Sequence, residues 1–423
     1  MKRPGWLAGL ALLAGFGALG PGAAPRPPPT PPLEQAAPLG TPGAPRPVAK
    51  RVNTPVFAHV MPWFESKAFS GYWGRHWTMA NRNPEVVDGL GRRQIAAHYY
   101  PLIGPYASAD PDVIEYQLLL MKFSGIDGVL LDWPGLADLY DYPRNRANAE
   151  AMIARLGEVG LTFGVVYEDR NVGVAARQGV VADKVGQARA DMSYLQTNYF
   201  PQRTYQRVGG RPLLGVFGPQ TFGTPGEWRR VLSGLNPKPC FVTLWYEHPE
   251  AAGSSDCTGE YAWVYQDAAR THLQHLRDFY TGRQDFGVKI GSAYPGFHDF
   301  YAQGGWGSNL FRIEADGTAT LSETLGLALG AGVPYLQLAT WNDYGEGTML
   351  EPTREFGYSL LTTLQETLGV PYGQRELELV AALYAQRRQY RGNAAQGARL
   401  DRAAAFLAAL QLGEARSTLV ATP

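Results

Sequence analysis

Short apolar runs alternate with longer segments of helical periodicity along most of the chain, beginning near Val52. Several of the runs are apolar at every position, as strands buried on both faces of a parallel sheet must be. Eight runs are predicted to be strands: Val56–Val60, Ile95–Tyr99, Gly128–Leu131, Phe163–Val166, Leu213–Val216, Phe241–Leu244, Val288–Ile290 and Tyr335–Ala339. One further short run, Tyr261–Tyr265, has no assigned place in this pattern.

The segments between the runs predict helices, of which Pro111–Phe123 has the clearest signals. Its apolar side chains recur on one face, and Asp110 followed by proline is a typical helix start. The other predicted helices are Asn145–Val159, Asp183–Leu195, Pro225–Leu235, Ala268–Tyr280 and Thr320–Leu329. Strands alternating with helices predict an α/β fold, a (β/α)8 TIM barrel over residues 52–352. A doubly wound open sheet is the alternative, but no G-x-G-x-x-G motif follows the first strand.

Residues 353–423 contain no strand pattern and are predicted to be C-terminal helices packed on the barrel. Three segments carry the helical periodicity there: Phe356–Leu368, Gln374–Arg391 and Gly397–Leu412.

The first 51 residues differ in composition from the rest of the chain. Residues 1–24 combine Lys2 and Arg3 with an apolar stretch and then small residues, which predicts a signal peptide, with a short membrane anchor as the alternative. Residues 25–51 are predicted to be a proline-rich linker, since Pro25–Pro47 contains ten prolines in 23 residues. We therefore expect an exported protein, secreted or periplasmic or at the cell surface, with no stable membrane insertion beyond the signal segment.

Composition narrows the possible partners. The chain has 38 basic and 38 acidic side chains, a balance that argues against nucleic acid as a partner. Ten Trp and 23 Tyr residues favour a surface that binds sugars or other flat ligands. The two cysteines, Cys240 and Cys257, can pair in an oxidising compartment but are too few for a zinc site.

Aromatic residues next to carboxylates or imidazoles recur where the predicted strands end. In a TIM barrel the active site lies at those carboxyl ends. Aromatic rings stack on the apolar faces of sugars, and carboxylates accept hydroxyl hydrogen bonds. Any one of these residues can be a core residue or a helix cap, but their recurrence favours a pocket. The candidates for substrate binding are Trp63, His98, Tyr99, Trp133, Glu168, Tyr246, Trp341 and Asn342.

Asp343 and Glu346 form the strongest local signal for catalysis. They are three residues apart after the last predicted strand, and Gly345 and Gly347 next to them allow a sharp turn. Glycoside cleavage needs one carboxyl group that holds a proton and one that is ionised. The structural alternative is that Asp343 caps a helix and Glu346 pairs with an arginine.

Three segments resemble glycoside hydrolases of families 71 and 99: His98–Tyr106, Ser124–Val129 and Trp341–Thr348. The resemblance covers roughly Thr54 to Glu351. It implies a (β/α)8 barrel acting on α-linked glycans, as do the endo-α-mannosidases and endo-α-mannanases of family 99 and the α-1,3-glucanases of family 71.

The segment Trp341–Gly347 departs from the family 99 pattern W-N-E-W-H-E-G at three positions, since Asp343, Tyr344 and Gly345 replace a glutamate, a tryptophan and a histidine. The family 99 mechanism would have Asp343 deprotonate the substrate 2-hydroxyl to form a 1,2-anhydro sugar, while Glu346 protonates the leaving oxygen. The family 71 mechanism would make the two residues the base and acid of an inverting hydrolysis. The resemblance also implies substrate contacts for Trp133 and Glu168.

The sequence therefore predicts an exported, endo-acting glycoside hydrolase of the family 71/99 type, whose substrate is an α-linked polysaccharide or oligosaccharide. Catalysis is assigned to Glu346 and Asp343, with no metal and no cofactor. A non-catalytic, lectin-like barrel is the alternative, but it has no chemical need for a paired acid and base. A metal-dependent deacetylase is disfavoured because no H-E-x-x-H spacing occurs.

Overall fold

The computed structural model describes residues 40–245, 258–282 and 287–420. Within these ranges eight parallel strands close into a barrel in the order β1, β2, β3, β5, β6, β7, β8, β11, and β11 pairs with β1. In chain order the strands are β1 (Val56–Val60), β2 (Gly128–Trp133), β3 (Thr162–Tyr167), β4 (Arg207–Val208), β5 (Arg211–Val216), β6 (Cys240–Leu244), β7 (Thr258–Tyr261), β8 (Val288–Ala293), β9 (Phe297–His298), β10 (Arg312–Ile313) and β11 (Tyr335–Leu338). The predicted TIM barrel is confirmed.

Helices surround the barrel and extend beyond it at the C-terminus. The described helices are α1 (Lys67–Ser70), α2 (Arg75–Thr78), α3 (Pro111–Phe123), α4 (Tyr142–Val159), α5 (Asp169–Arg177), α6 (Lys184–Asn198), α7 (Pro225–Val231), α8 (His272–Thr281), α9 (Tyr301–Gly304), α10 (Ala319–Gly330), α11 (Ser359–Leu368), α12 (Gln374–Gln389), α13 (Ala394–Ala408) and α14 (Leu412–Val420). The predicted start of α3 is present, because the Asp110 side chain accepts a hydrogen bond from the backbone N–H of Asp112. None of the described helices is long and apolar enough to cross a membrane.

The predicted strand Ile95–Tyr99 is wrong. This segment is irregular and lies in the long connection between β1 and β2. Its apolar side chains are buried outside the barrel, where Ile95 packs in a cluster with Phe64, Trp77 and Tyr106. An apolar run predicts burial, but burial alone does not select a strand.

The missing barrel strand is β7, which overlaps the unassigned run at Tyr261. Its sequence, Thr-Gly-Glu-Tyr, is buried at every position although it contains no apolar run. Gly259 is required there by space, since an added Cβ would lie 1.9 Å from the carbonyl oxygen of Val288 on β8. A strand of this composition gives no hydrophobic signal along the sequence.

Residues 40–51, the end of the predicted linker, lie against the folded domain. The backbone N–H of Arg46 donates to the carbonyl of Ala408, 3.1 Å away, and that of Arg51 donates to the carbonyl of Leu368, 2.9 Å away. Lys50 pairs with Asp127, which directly precedes β2. This segment therefore packs at the amino end of the barrel strands and against the C-terminal helices.

Candidate active site

The carboxyl ends of β2, β3 and β11 bring four carboxyl groups together at one mouth of the barrel. Asp132 and Glu168 are hydrogen-bonded to each other, and the charge of Asp343 acts on Asp132. The charges of Asp343 and Glu168 both act on Glu346. Asp343 and Glu346, predicted from their spacing, thus share a site with Glu168, which comes from a strand end 175 residues earlier in the chain.

Asp343 and Glu346 are held by a turn that follows β11. The Asp343 backbone N–H donates to Thr340 Oγ1 at 2.8 Å, and the Glu346 backbone N–H donates to Asp343 Oδ1 at 3.0 Å. Gly347 has φ +68°, and a Cβ there would lie 2.7 Å from the carbonyl oxygen of His298. Glycine is therefore needed for both the turn and the close approach of the backbone after β8.

The structural alternative for this pair is not what the structure shows. Asp343 accepts a hydrogen bond within a turn, and no helix begins there. Among the described residues, no arginine or lysine lies within ion-pair distance of Glu346. Its Oε1 instead accepts a hydrogen bond of 2.9 Å from the hydroxyl of Tyr301. Tyr301 was missed in the sequence, since nothing near it in the chain marks it as a site residue.

The two carboxyl groups have different proton affinities. Burial, and then the neighbouring charge of Asp343, raise the pKa of Glu346 to about 8. Burial also raises the pKa of Asp343, but hydrogen bonds from the backbone N–H groups of Glu346 and Gly345 oppose this and leave it at about 6. At neutral pH Glu346 therefore holds a proton while Asp343 is largely ionised.

Asp132 and Glu168 form a second carboxyl pair. Burial raises the pKa of Asp132 to about 7, and burial together with the charge of Asp132 raises the pKa of Glu168 well above its usual range. Two carboxyls in hydrogen-bond contact favour sharing one proton. Asp132 stands next to Trp133 at the end of β2.

Three of the predicted substrate-binding residues lie around the mouth. Trp63 is partly buried and stacks on His76, with ring centroids 4.2 Å apart and an interplanar angle of 7°. His98 stacks on His298 at 3.5 Å, and Tyr99 packs against Phe356 at 5.2 Å. Both rings contact His298, whose backbone N–H donates to the carbonyl of Glu346 at 2.8 Å, so His98 and Tyr99 adjoin the turn that carries Asp343 and Glu346.

Three other predicted binding residues are buried behind the mouth. Trp133 and Trp341 are fully buried, and Asn342 is 1% exposed. Asn342 bridges to β1, where its side chain accepts from the backbone N–H of Met61 at 2.8 Å and donates to its carbonyl at 3.0 Å. In this structure the three side chains offer a substrate no open surface and instead hold the strand ends in place. Tyr246, also predicted to bind substrate, lies outside the described residues.

A buried glutamate supports the turn from below. Glu351 accepts hydrogen bonds from the hydroxyls of Tyr106 and Tyr344 at 2.7 and 2.8 Å, and from the Gln117 side chain at 2.7 Å.

Within the described ranges, no group of three His, Cys, Asp or Glu side chains is arranged to hold a metal ion.

The fold and the site define a (β/α)8 barrel with two interacting pairs of carboxyl groups at its mouth. We compared this chain with known proteins and solved structures. No family model matches the chain. The chain is 43% identical over 51 residues to a glycoprotein endo-α-1,2-mannosidase-like protein of Danio rerio, and 30% identical over 99 residues to one of Mus musculus. These alignments cover 12% and 21% of this chain, and they span only 12% and 22% of the two relatives.

Solved structures extend the likeness to the whole barrel. A GH99 endo-α-mannosidase of Bacteroides thetaiotaomicron, solved with bis-tris propane, superposes with a TM-score of 0.56 at 16% identity, covering 79% of this chain and 98% of that one. A second structure of the Bacteroides thetaiotaomicron GH99 endo-α-mannosidase gives 0.55 at 18% identity, covering 77% and 98%. The resemblance to family 99 is confirmed. Because the sequence identities are this low, the structural likeness establishes the fold alone. The family 71 part of the resemblance stays a prediction.

Proposed function

We propose that this protein is an exported glycoside hydrolase that cleaves α-linked glycans of the α-mannan or α-glucan type. The observation that carries the proposal is a pair of carboxyls on one turn, of which one has a pKa above 7 and the other a pKa below 7. Glu346 is protonated and Asp343 ionised at the same pH, which is the division of roles that glycosidic cleavage requires. The named relatives support the choice of α-linked substrates.

In this mechanism Glu346 gives its proton to the glycosidic oxygen as the bond from that oxygen to the anomeric carbon breaks. The Tyr301 hydroxyl orients the carboxyl through Oε1. Asp343 takes a proton either from the substrate 2-hydroxyl, whose oxygen then closes on the anomeric carbon, or from the water that attacks that carbon. In the first route, Glu346 as carboxylate later takes a proton from the water that attacks the anomeric carbon. The bond from that carbon to the 2-oxygen then breaks, and Asp343 returns its proton to that oxygen.

Glu168 and Asp132 are proposed to bind sugar hydroxyls. A carboxyl pair that shares one proton can both donate and accept hydrogen bonds, as neighbouring hydroxyls require. The charge of Glu168 also contributes to the raised pKa of Glu346.

Export and endo action are the finer parts of the proposal. Residues 1–24 carry the signal-peptide pattern but lie outside the described residues, so export rests on that pattern. Cys240 is disulfide-bonded, which fits an oxidising compartment, and Cys257 lies outside the described residues. Endo action rests on the similarity to an endo-α-1,2-mannosidase-like protein and to an endo-α-mannosidase.

The test is to incubate the protein with α-mannan and with α-1,3-glucan and to measure released oligosaccharides, for wild type and for Glu346→Gln and Asp343→Asn. Each variant is expected to lose roughly 10²–10⁴-fold in rate, because one proton transfer is removed. Glu366→Gln, on the exposed side of α11, is the matched control and is expected to keep the wild-type rate.

Two outcomes count against the proposal. Near-wild-type rates in either site variant, on a substrate that wild type cleaves, would remove that residue from the mechanism. Tight glycan binding with no release of sugar from either polymer would instead support the lectin-like alternative.

A further inference from the structure

A cluster of aromatic residues around one arginine lies on the rim of the barrel mouth. The guanidinium carbon of Arg75 is 4.9 Å from the ring centroid of Trp306 and 5.4 Å from that of Tyr140. Arg75 lies in the connection after β1, Tyr140 in that after β2 and Trp306 in that after β8. Only the closed barrel therefore brings the three residues together. Trp306 and Tyr140 are 36% and 59% exposed. The cluster is therefore open to solvent, where a ligand can reach it.

The rim cluster adjoins the carboxyl groups on two sides. The backbone N–H of Trp306 donates to the carbonyl of Tyr301 at 2.9 Å, and the Tyr301 hydroxyl contacts Glu346. On the other side Tyr140 contacts Tyr142, with ring centroids 5.8 Å apart, and the charge of Glu168 acts on the Tyr142 hydroxyl. A glycan that occupies the mouth therefore passes close to the cluster.

Arg75 has no ion-pair partner within 4.0 Å and makes no side-chain hydrogen bond among the described residues. The charges of Arg75 and Asp141 act on each other, but the two side chains are not within ion-pair distance. Asp141 is engaged by His76, whose Nε2 lies 3.4 Å from Asp141 Oδ2. Stacking on rings restricts the guanidinium but leaves its N–H edges free. Such a group is pre-organised for an anion, since less entropy is lost when the anion binds.

Two further features indicate a binding role for the cluster. Tyr140 has φ +52°, a backbone conformation that a bulky residue adopts only when its surroundings hold it there. A second exposed arginine, Arg170, acts on both Tyr142 and Glu168 and likewise has no ion-pair partner within 4.0 Å among the described residues. The positive charge on the rim is thus close to the negative charge in the mouth.

We propose that Arg75, with Trp306 and Tyr140, binds the carboxylate of a uronic acid in an acidic glycan substrate. A guanidinium matches a carboxylate through two parallel hydrogen bonds, and exposed aromatic rings pack against a sugar ring. This inference rests on the proposed function and specifies its substrate as an anionic α-linked glycan.

The test compares one glycan in two forms. The first is an α-linked mannose oligosaccharide that carries one glucuronic acid. The second is the same oligosaccharide after chemical reduction of the carboxyl group, which converts glucuronic acid to glucose and changes nothing else. Binding of both is measured by calorimetry in Glu346→Gln, so that no cleavage occurs. The acidic form is expected to bind about 10- to 100-fold more tightly, as a charge-assisted pair provides.

Variants of Arg75 in the same Glu346→Gln background separate recognition from a merely structural role. Arg75→Gln is expected to abolish the preference for the acidic form without weakening binding of the reduced form, and Arg75→Lys to restore part of it. Arg354→Gln is the matched control, since Arg354 lies 4.8 Å above the ring of Tyr100 in a similar arrangement, and it is expected to keep the preference.

Equal affinity for the two forms, binding of neither form, or an equal loss for both forms in Arg75→Gln would overturn the inference. Hydrolysis of neutral α-glycans by wild type is scored separately. An enzyme that cleaves neutral glycans but shows no acidic preference contradicts this inference alone, whereas a protein that prefers the acidic form but cleaves nothing contradicts the proposed function alone.

Discussion

At the scale of single residues, the environment gives two similar carboxyls different proton affinities. Asp343 and Glu346 are on one turn, and burial raises the pKa of both. Asp343 accepts hydrogen bonds from backbone N–H groups, which favour its ionised form. Glu346 instead faces the charge of Asp343, which favours its protonated form. The order of their pKa values therefore follows from the direction of the turn's N–H groups.

The pH dependence of hydrolysis is the first expectation at this scale. The rate constant kcat/KM is expected to rise as Asp343 ionises near pH 6 and to fall as Glu346 ionises near pH 8. Tyr301→Phe removes a hydrogen bond that lowers the pKa of Glu346, so the alkaline limb should move to higher pH. A pH–rate profile of both proteins checks this, and an alkaline limb that stays in place or moves down would contradict it.

Stability provides a second test of the same carboxyl. The pKa of Glu346 is raised from 4.5 in the ordinary state to about 8 in the fold, so the native state retains a proton that the unfolded chain has lost in this window. The contribution of protonated Glu346 to the free energy of unfolding is fully present below about pH 4.5 and is lost as pH rises through 8. Glu346→Gln cannot ionise, so its melting temperature should exceed that of wild type by a few degrees at pH 9 and by less at pH 5.

Thermal unfolding at the two pH values measures this difference. Glu366→Gln on α11 serves as control and should track wild type at both. A Glu346→Gln protein whose advantage is the same at pH 5 and pH 9 would show that this glutamate titrates normally.

At the scale of elements, the segment 40–51 has a structural role that its composition did not indicate. Lys122 in α3 is 2% exposed, and its Nζ donates to the carbonyls of Arg46 and Val159. Burial lowers the pKa of this lysine to about 8. Without residues 40–51 the ammonium would lose one of these two acceptors in a buried place.

Truncation at two points tests this role. A chain that begins at Gly40 should unfold at the same temperature as one that begins at Pro25, whereas a chain that begins at Val52 should unfold several degrees lower. Differential scanning calorimetry of the three proteins gives the comparison. Equal melting temperatures for all three would mean that the segment is only a spacer, as its proline content alone predicts.

At the scale of the whole molecule, the C-terminal helices and the barrel are joined through α3. Glu115 of α3 is 6% exposed. It forms one ion pair with Arg387 of α12 at 2.8 Å and a second with Arg155 of α4 at 3.6 Å. Arg388 of α12 and Arg391, two residues after the end of α12, both donate to Asp110, the cap of α3, at 2.9 Å. Helix α3, which lies in the connection between β1 and β2, is therefore bound to α4 of the barrel and to the C-terminal helices.

A double-mutant cycle measures this join. Arg387→Gln leaves Glu115 buried with its principal partner removed, which is expected to cost about 3 kcal/mol of unfolding free energy. Adding Glu115→Gln should recover part of that loss, because the uncompensated charge is removed as well. Urea unfolding of the two single variants and the double variant checks this, and losses that simply add would show that the pair is not coupled.

The sequence by itself determined the fold class and singled out the two carboxyls that we propose as catalytic. Strands such as Gly128–Trp133 are apolar because both faces of a parallel barrel strand are buried, so the run of residues carries the signal. Asp343 and Glu346 are also local, since one turn holds both. The strand Thr258–Tyr261 had no such signal, because its burial depends on neighbours far away in the chain.

Only the tertiary structure decided which side chains face the mouth. Trp133 follows Asp132 directly, yet the acid joins the carboxyl cluster while the ring is buried against Tyr167 and Tyr199, as alternate side chains of a strand point to opposite sides. Tyr301 and Arg75 reach the site from connections that are distant in sequence. Closing the barrel brings such positions together, and no pattern within a single segment records which loops will meet.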